Sequence, residues 1–355
     1  MNKTRKAAIQ NTFSIKRLTL ALAVILGAAS GAGFPSPALG CENVEACLSQ
    51  LRFGETRNLR EQAARILGER GAKKAVPHLL EALKSDESEF VRVTAALALS
   101  RLAGQDSLTQ LTDVLKNDIR PHVRRSTALA IGRLSGDEAF LALIPMLETD
   151  EAWEVRAAVA EALGTMGIGA SIQPLAAALT REPRSEVRSR ILWALTRLPG
   201  TGMAEAIIAA LKNDTDVSVR LEAARALIKV QGEIVTKALE QALTNEKDRA
   251  VRKSIAGTIG ERYEDASVPA LVKAVRDDPA LEVRVEAAHS LGMIGSPEAK
   301  EALLYYSRNS QFSQIRYTAQ EALDRLPVVE ARRKAKAEAE AAARKKAEEN
   351  GEEGS

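Results

Sequence analysis

Aromatic residues are scarce in this sequence of 355 residues, where they make up only 3%. The apolar fraction is nevertheless 45%, so the core must be built from Leu, Ala, Val and Ile, a composition that suits closely packed helices. Histidine is also scarce. None of His78, His122 and His289 is followed by a glutamate. We therefore expect no His-Glu iron centre, no other metal site and no bound cofactor.

Enzyme motifs are missing as well. The sequence has no G-x-S-x-G motif for a nucleophilic serine and no glycine-rich loop of the phosphate-binding type. The stretch GTMGIG at 164–169 is predicted to be a helix end and turn. We expect no catalytic residues, so the protein is predicted not to be an enzyme.

The basic net charge of +3 comes from the first 40 residues, which hold five Lys and Arg residues and no acid. Subtracting those five from 50 leaves 45 basic residues against 47 acidic ones. Residues 41–355 therefore carry no basic excess of the kind that nucleic acid or anionic lipid attracts, and we expect no nucleic-acid partner.

Residues 1–40 are predicted to be a bacterial signal peptide. A basic segment is followed by the apolar run LTLALAVILGAASGAG, and the small residues Ala38 and Gly40 precede Cys41. That run is shorter than the roughly 20 residues that span a bilayer. The expected location is the periplasm, without a membrane span after cleavage. An uncleaved anchor, secretion, or lipidation of Cys41 stay open, although Ala38 stands where a lipobox has leucine.

One arginine recurs every 32 residues without insertion or deletion, and we refer to it as the anchor arginine. Seven of the nine copies follow a valine. The copies are Arg60, Arg92, Arg124, Arg156, Arg188, Arg220, Arg252, Arg284 and Arg316. Such a constant period over most of a chain is typical of repeat architectures.

Leucine columns follow the same period, and their spacings of four and seven residues predict two amphipathic helices per repeat. An acidic residue six positions before most anchor arginines lies in the predicted turn between the two helices. One helix pair cannot bury its apolar face alone, but stacked pairs share a continuous core. The sequence therefore predicts an all-α solenoid.

The pattern D…VR..AA.AL resembles HEAT repeats, in particular the short bacterial type also found in bilin lyases. This resemblance implies a right-handed α-solenoid of about nine helix pairs over residues 41–327. Ankyrin and tetratricopeptide repeats have similar lengths, but their signature residues are missing. Residues 328–355, rich in Ala, Lys and Glu, are predicted to form a tail that passes from helical to disordered.

The resemblance also implies that the second helix of each repeat lines the concave face. Trp193, with Arg190 and Arg197 one turn away on either side, is the strongest candidate for partner binding because Trp and Arg dominate interface energetics. The other candidates extend an apolar strip with a basic rim, and they are Leu97, Leu129, Arg101, Arg125, Arg133 and Arg225. Packing of Trp193 and both leucines against the adjacent repeat is the alternative interpretation.

A residue that occurs nine times is predicted to be structural. We expect the anchor arginines to bond to turn carboxylates and carbonyls as a ladder. Its predicted members are Arg92, Arg124, Arg156, Arg188, Arg220, Arg252 and Arg284, with Asp86, Asp118, Asp150, Asp214 and Asp278.

The two cysteines leave alternatives open. Cys47 occupies a leucine column, and Cys41 lies six residues earlier, about 9 Å away along a helix. That distance is too long for a disulfide, so a bond requires Cys41 to fold back from an irregular segment. A disulfide, a lipid on Cys41 and free thiols all remain consistent with the sequence.

The predicted function is that of an exported scaffold or adaptor which binds a protein or peptide through its concave face. Two alternatives stay open. The solenoid is a spacer or assembly subunit in the first, and an enzyme resembling bilin lyases in the second. The sequence does not identify the partner.

Overall fold

The predicted all-α solenoid is confirmed. A computed structural model of the protein describes residues 41–200 and 202–352, and in these residues 18 α-helices form nine sequential pairs. The first helices are α1 (Val44–Phe53), α3 (Val76–Ser85), α5 (Leu108–Asn117), α7 (Asp137–Thr149), α9 (Ile172–Arg181), α11 (Met203–Asn213), α13 (Glu233–Asn245), α15 (Val268–Asp277) and α17 (Pro297–Asn309). The second helices are α2 (Arg57–Glu69), α4 (Glu89–Leu102), α6 (Pro121–Leu134), α8 (Trp153–Met166), α10 (Ser185–Leu195), α12 (Val217–Ala226), α14 (Arg249–Arg262), α16 (Leu281–Ile294) and α18 (Ser313–Glu352).

The repeated apolar columns form one continuous core along this stack. The valine before the anchor arginine is fully buried at Val91, Val123 and Val155, and the leucines of the first helices, such as Leu79 and Leu111, are fully buried too. Each helix pair therefore closes its neighbour's apolar face, as expected for stacked repeats.

The second helices pack together more closely than the first helices do. A Cβ atom on Gly132 of α6 would lie 2.6 Å from the Cβ of Ala162 of α8, and one on Gly164 would lie 2.7 Å from the Cα of Ala194. Only a residue without a side chain permits this approach. Because the stack is more tightly spaced on this side, it bends so that the second helices lie on its inner, concave face.

This close packing weakens in the middle of the array. Helices α10 and α12 end at Leu195 and Ala226, about one turn earlier than most second helices. Thr196 and Ile228 stand there at the position that Gly132 and Gly164 occupy in earlier repeats. Their larger side chains do not allow the same approach, so α12 contacts its two neighbours less extensively than the other second helices contact theirs.

The boundary predicted after residue 327 does not end a helix. Helix α18 continues through Pro327 to Glu352, although a proline removes one backbone hydrogen bond. The first turns of the predicted tail also pack against earlier repeats. Arg333 donates hydrogen bonds of 2.8 and 2.7 Å to the Asp265 carboxylate and one of 2.7 Å to the Ile294 carbonyl. Residues 328–333 are therefore a docked continuation of the last repeat.

The predicted signal peptide, residues 1–40, lies outside the described residues. Among the helices that are described, none combines the length and the apolar character that crossing a membrane requires.

Candidate binding surface

The turn between the two helices of a repeat is built by its acidic residue. In the second repeat the Asp86 carboxylate accepts the N–H of Ser88 at 2.9 Å, and Asp150 accepts that of Ala152 in the same way. The acid thus lies three residues before the first residue of the second helix and shapes the turn, whereas a helix N-cap would be the last residue before it. This placement holds the second carboxylate oxygen toward the preceding repeat.

The anchor arginines bind these carboxylates across the repeat boundary and form a ladder of ion pairs. Arg156 donates from Nε and Nη2 to Glu182 of the next turn at 2.7 and 2.8 Å, and from Nη1 to the Asp150 carbonyl of its own turn at 2.7 Å. Seven such pairs have Nε–oxygen distances of 2.7–2.8 Å, and they are Arg60–Asp86, Arg92–Asp118, Arg124–Asp150, Arg156–Glu182, Arg188–Asp214, Arg220–Glu246 and Arg252–Asp278.

Pairing in the ladder shifts the pKa values of Arg156 and Glu182. Hydrogen bonding to Glu182 raises the pKa of the Arg156 guanidinium and outweighs the opposing effect of burial. Burial by itself raises the pKa of Glu182, but the hydrogen bonds from Arg156 and from the Arg184 N–H bring it below its usual value. Both groups therefore stay charged near neutral pH, as a paired and hydrogen-bonded ion pair requires.

Arg284 departs from the predicted ladder. The position that holds a carboxylate in the preceding turns is occupied by Ser310, so Arg284 has no acidic partner there. It donates to the Asp278 carbonyl instead and lies 5.1 Å from the centre of the Phe312 ring. The ladder of ion pairs thus ends at Arg252–Asp278. At the other end it begins one repeat earlier than the predicted set, at Arg60.

Cys41 and Cys47 are joined by a disulfide, with their Cα atoms 5.0 Å apart. Cys41 precedes α1, so an irregular segment folds back as the bond requires. Arg70 donates to the Cys41 carbonyl at 3.2 Å. Together the disulfide and this hydrogen bond close the N-terminal end of the core.

Trp193 lies half-buried on the concave face of α10. The guanidinium groups of Arg190 and Arg197 are 5.5 and 4.8 Å from the ring centre, one on each side along the helix. The ring also packs over Gly164 of the preceding repeat, where a Cβ would lie 3.2 Å from Cζ3. The Trp193 side chain therefore contributes to repeat packing and still presents part of its surface to solvent.

The two leucines of the predicted strip differ in exposure. Leu97 is 46% exposed, whereas Leu129 is half-buried and packs against the core. Leu97 is thus available to a partner, whereas part of the Leu129 side chain packs against the core of the stack. Trp153 begins α8 and is half-buried beside the core, where Arg184 lies 5.7 Å from its ring.

The remaining predicted arginines are exposed on the same face. Arg101, Arg125, Arg133 and Arg225 point to solvent from α4, α6 and α12. We define the central concave surface as the outward side chains of α4, α6, α8, α10 and α12, together with Arg197, which follows the end of α10. The structure thus places all nine predicted partner-binding residues on this surface.

Sequence reasoning missed Arg262. It occupies a position that is apolar in most repeats, and its side chain is only 2% exposed. It donates to the Leu227 carbonyl at 2.7 Å, to the Val230 carbonyl, and to the Glu264 carboxylate at 2.6 Å. Arg262 thereby satisfies the carbonyls left by the early end of α12. The sequence signal that could have identified Arg262 is the presence of an arginine at a position that is apolar in most repeats.

Metal-binding clusters are not found in the part of the chain that the structure describes, where no three His, Cys, Asp or Glu residues come together in a suitable group. His122 and His289 are exposed, and His78 is partly buried.

The sequence pattern that defines HEAT repeats matches four overlapping segments, residues 44–132, 114–196, 172–256 and 236–324. A search of curated proteins finds no match.

Solved structures share the fold at low identity. A Kap121p mutant is 12% identical, with 80% of this chain and 37% of that one covered, at a TM-score of 0.61. Kap95p, from a structure concerned with its binding to RanGDP, is 16% identical over 79% of this chain and 44% of its own, at 0.52. The CpcE–CpcF complex of phycocyanin lyase from Nostoc sp. PCC7120 is 21% identical and covers 84% and 100%, but its TM-score of 0.38 is too low to compare sites.

Proposed function

Because the chain belongs to the HEAT-repeat family, we propose that it is a scaffold or adaptor which binds a protein or peptide partner through its central concave surface. The observation that carries this proposal is Trp193, a partly exposed tryptophan between two arginines. Trp and Arg are the residues most enriched among binding hot spots. The solved neighbours agree with such a role, since Kap121p is bound to Nup53p and Kap95p binds RanGDP.

We further propose that the protein acts by binding and not by catalysis. The anchor arginines are its most regular charged groups, and seven of them are occupied by a carboxylate and a backbone carbonyl each. Groups held in this way support the stack.

The proposed location is the bacterial cell envelope. The sequence of residues 1–40 supports export, and the Cys41–Cys47 disulfide suits an oxidising compartment. Thiol labelling of protein from intact cells tests this. We expect both cysteines to resist labelling until a reductant is added, whereas two free thiols would argue for a reducing compartment.

Site-directed crosslinking tests the concave face. A photoreactive residue at position 225 is expected to capture the partner, and one at position 141 on the outer side of α7 is not. Arg225 is exposed and Leu141 is 65% exposed, so both probes are accessible.

Two substitutions complete this test. Trp193→Ala and Leu97→Glu are expected to reduce capture, with Leu141→Glu as the matched control. We prefer Leu97 to the half-buried Leu129 because its replacement disturbs the stack less. Unchanged capture by both folded variants, or equal capture from positions 225 and 141, would assign binding to another surface.

A further inference from the structure

The central concave surface is cationic although residues 41–355 as a whole are not. Six arginines lie on it, and they are Arg101, Arg125, Arg133, Arg190, Arg197 and Arg225. The carboxylates on the same face of these five helices are Glu154, Glu161, Glu186 and Glu222, so the arginines exceed them by two. The positive charge is therefore concentrated on one face of the molecule, in the middle of the array.

Cations at the two ends of the concave face are neutralised within it. Arg65 pairs with Glu69 at 2.9 Å, and Arg325 pairs with Glu321 at 2.6 Å. Lys253 approaches the carboxylate of Glu286 to 3.8 Å. Each of these cations has a carboxylate from the same face beside it.

Most of the central arginines are not neutralised in this way. Arg190 has a carboxylate beside it, Glu161 at 3.7 Å. Among the described residues, no carboxylate lies within ion-pair distance of Arg101, Arg125, Arg133 or Arg225. A guanidinium presents a fixed fork of donors that matches a carboxylate. These four forks are free to bind carboxylates that the protein itself does not supply.

We propose that the partner segment bound here is acidic, an inference that rests on the proposed function and specifies its ligand. The arginines are distributed over repeats two to six, four steps of roughly 8–10 Å between packed helices. A segment of about 10–12 residues covers that span in extended form at roughly 3.3 Å per residue. Leu97 and Trp193 lie among the arginines, so the segment also carries an apolar residue.

A peptide fits this surface better than nucleic acid does. The arginines are interrupted by Leu97 and Trp193, and the ends of the concave face carry Glu69, Glu261 and Glu286. A uniform phosphate backbone that followed the face would meet these carboxylates. A short acidic segment ends before it reaches them.

Fluorescence anisotropy with labelled 12-residue peptides tests the proposal. The probe contains alternating Glu and Ser with one central Leu, and the matched peptides replace every Glu by Gln or by Lys. We expect the Glu peptide to bind. Its affinity should fall as salt is added, because exposed charge pairs are screened. The Gln and Lys peptides are expected not to bind.

Charge reversal locates the interaction. Arg125→Glu with Arg133→Glu is expected to weaken binding of the Glu peptide by at least about tenfold, which corresponds to about 1.4 kcal/mol. Lys116→Glu with Arg308→Glu, which reverses two exposed cations outside the concave face, should leave binding unchanged. If the reversed protein does not fold, Arg125→Gln with Arg133→Gln provides the same comparison.

Three results would overturn the inference: equal binding of the Gln peptide, equal loss in the control variant, or binding of a 12-nucleotide single strand as tight as that of the Glu peptide. Crosslinking distinguishes failure of the acidic-segment inference from failure of the proposed function. If Trp193→Ala reduces partner capture but the concave charge reversal does not, the surface binds a partner that is not acidic. If position 225 captures nothing, the proposed function fails as well.

Discussion

Removal of one arginine from the ladder is expected to destabilise the array by several kcal/mol. Arg124–Asp150 is its most buried pair, with side chains only 7% and 2% exposed and Nε 2.7 Å from the carboxylate. Arg124→Met would leave Asp150 charged and buried without its partner. Breaking a buried pair from one side costs about 3–5 kcal/mol, so we expect a loss of that size in the free energy of unfolding.

The second partner and a matched surface pair show whether burial is the cause. Asp150→Asn keeps an acceptor for the Ala152 N–H and should cost about 1–3 kcal/mol. The double variant should lose less than the sum, because the two groups interact directly. Arg65→Met breaks the exposed pair with Glu69, which is expected to contribute only about 0.2–0.5 kcal/mol.

Urea unfolding followed by circular dichroism measures these differences. Because a repeat array is held together by neighbouring interfaces, hydrogen exchange in α6 and α8 should report the same local loss. The reasoning is refuted if Arg124→Met costs no more than Arg65→Met, or if the two ladder substitutions are simply additive.

Three further predictions concern other parts of the array. Gly132→Ala should cost about 1–3 kcal/mol of unfolding free energy, because its Cβ would overlap α8. Gly104→Ala, which meets no atom within 4 Å, is the control in the same urea assay, and an equal loss would contradict the close-packing argument. Arg262→Leu should speed hydrogen exchange at the end of α12, because two carbonyls lose their donor. An unchanged exchange rate would show that these carbonyls do not depend on the Arg262 hydrogen bonds. The pKa of Glu182 is lowered by Arg156 in the folded protein, so its stabilisation is full above the ordinary value of 4.5 and is lost as pH falls through the folded value. The difference in melting temperature between the protein and Glu182→Gln should therefore narrow on acidification, and a constant difference would exclude this linkage.

The sequence by itself determined the repeat, the helix pairs and the core, because a constant period places the same apolar residues on the same helical face in every copy. Val155 and Leu163 could be assigned to the core for that reason alone. The recurrence of Arg156 likewise indicated a structural role before any contact was known.

Tertiary structure decided what depends on distance between repeats. Only the packed helices show that Leu129 is half-buried while Leu97 is exposed, and that Arg333 docks against Asp265. The periodic pattern treats equivalent positions alike, but burial depends on the neighbouring repeat, and an ion pair forms only where that neighbour supplies the opposite charge. The arginines left without such a neighbour therefore became visible only in the folded stack.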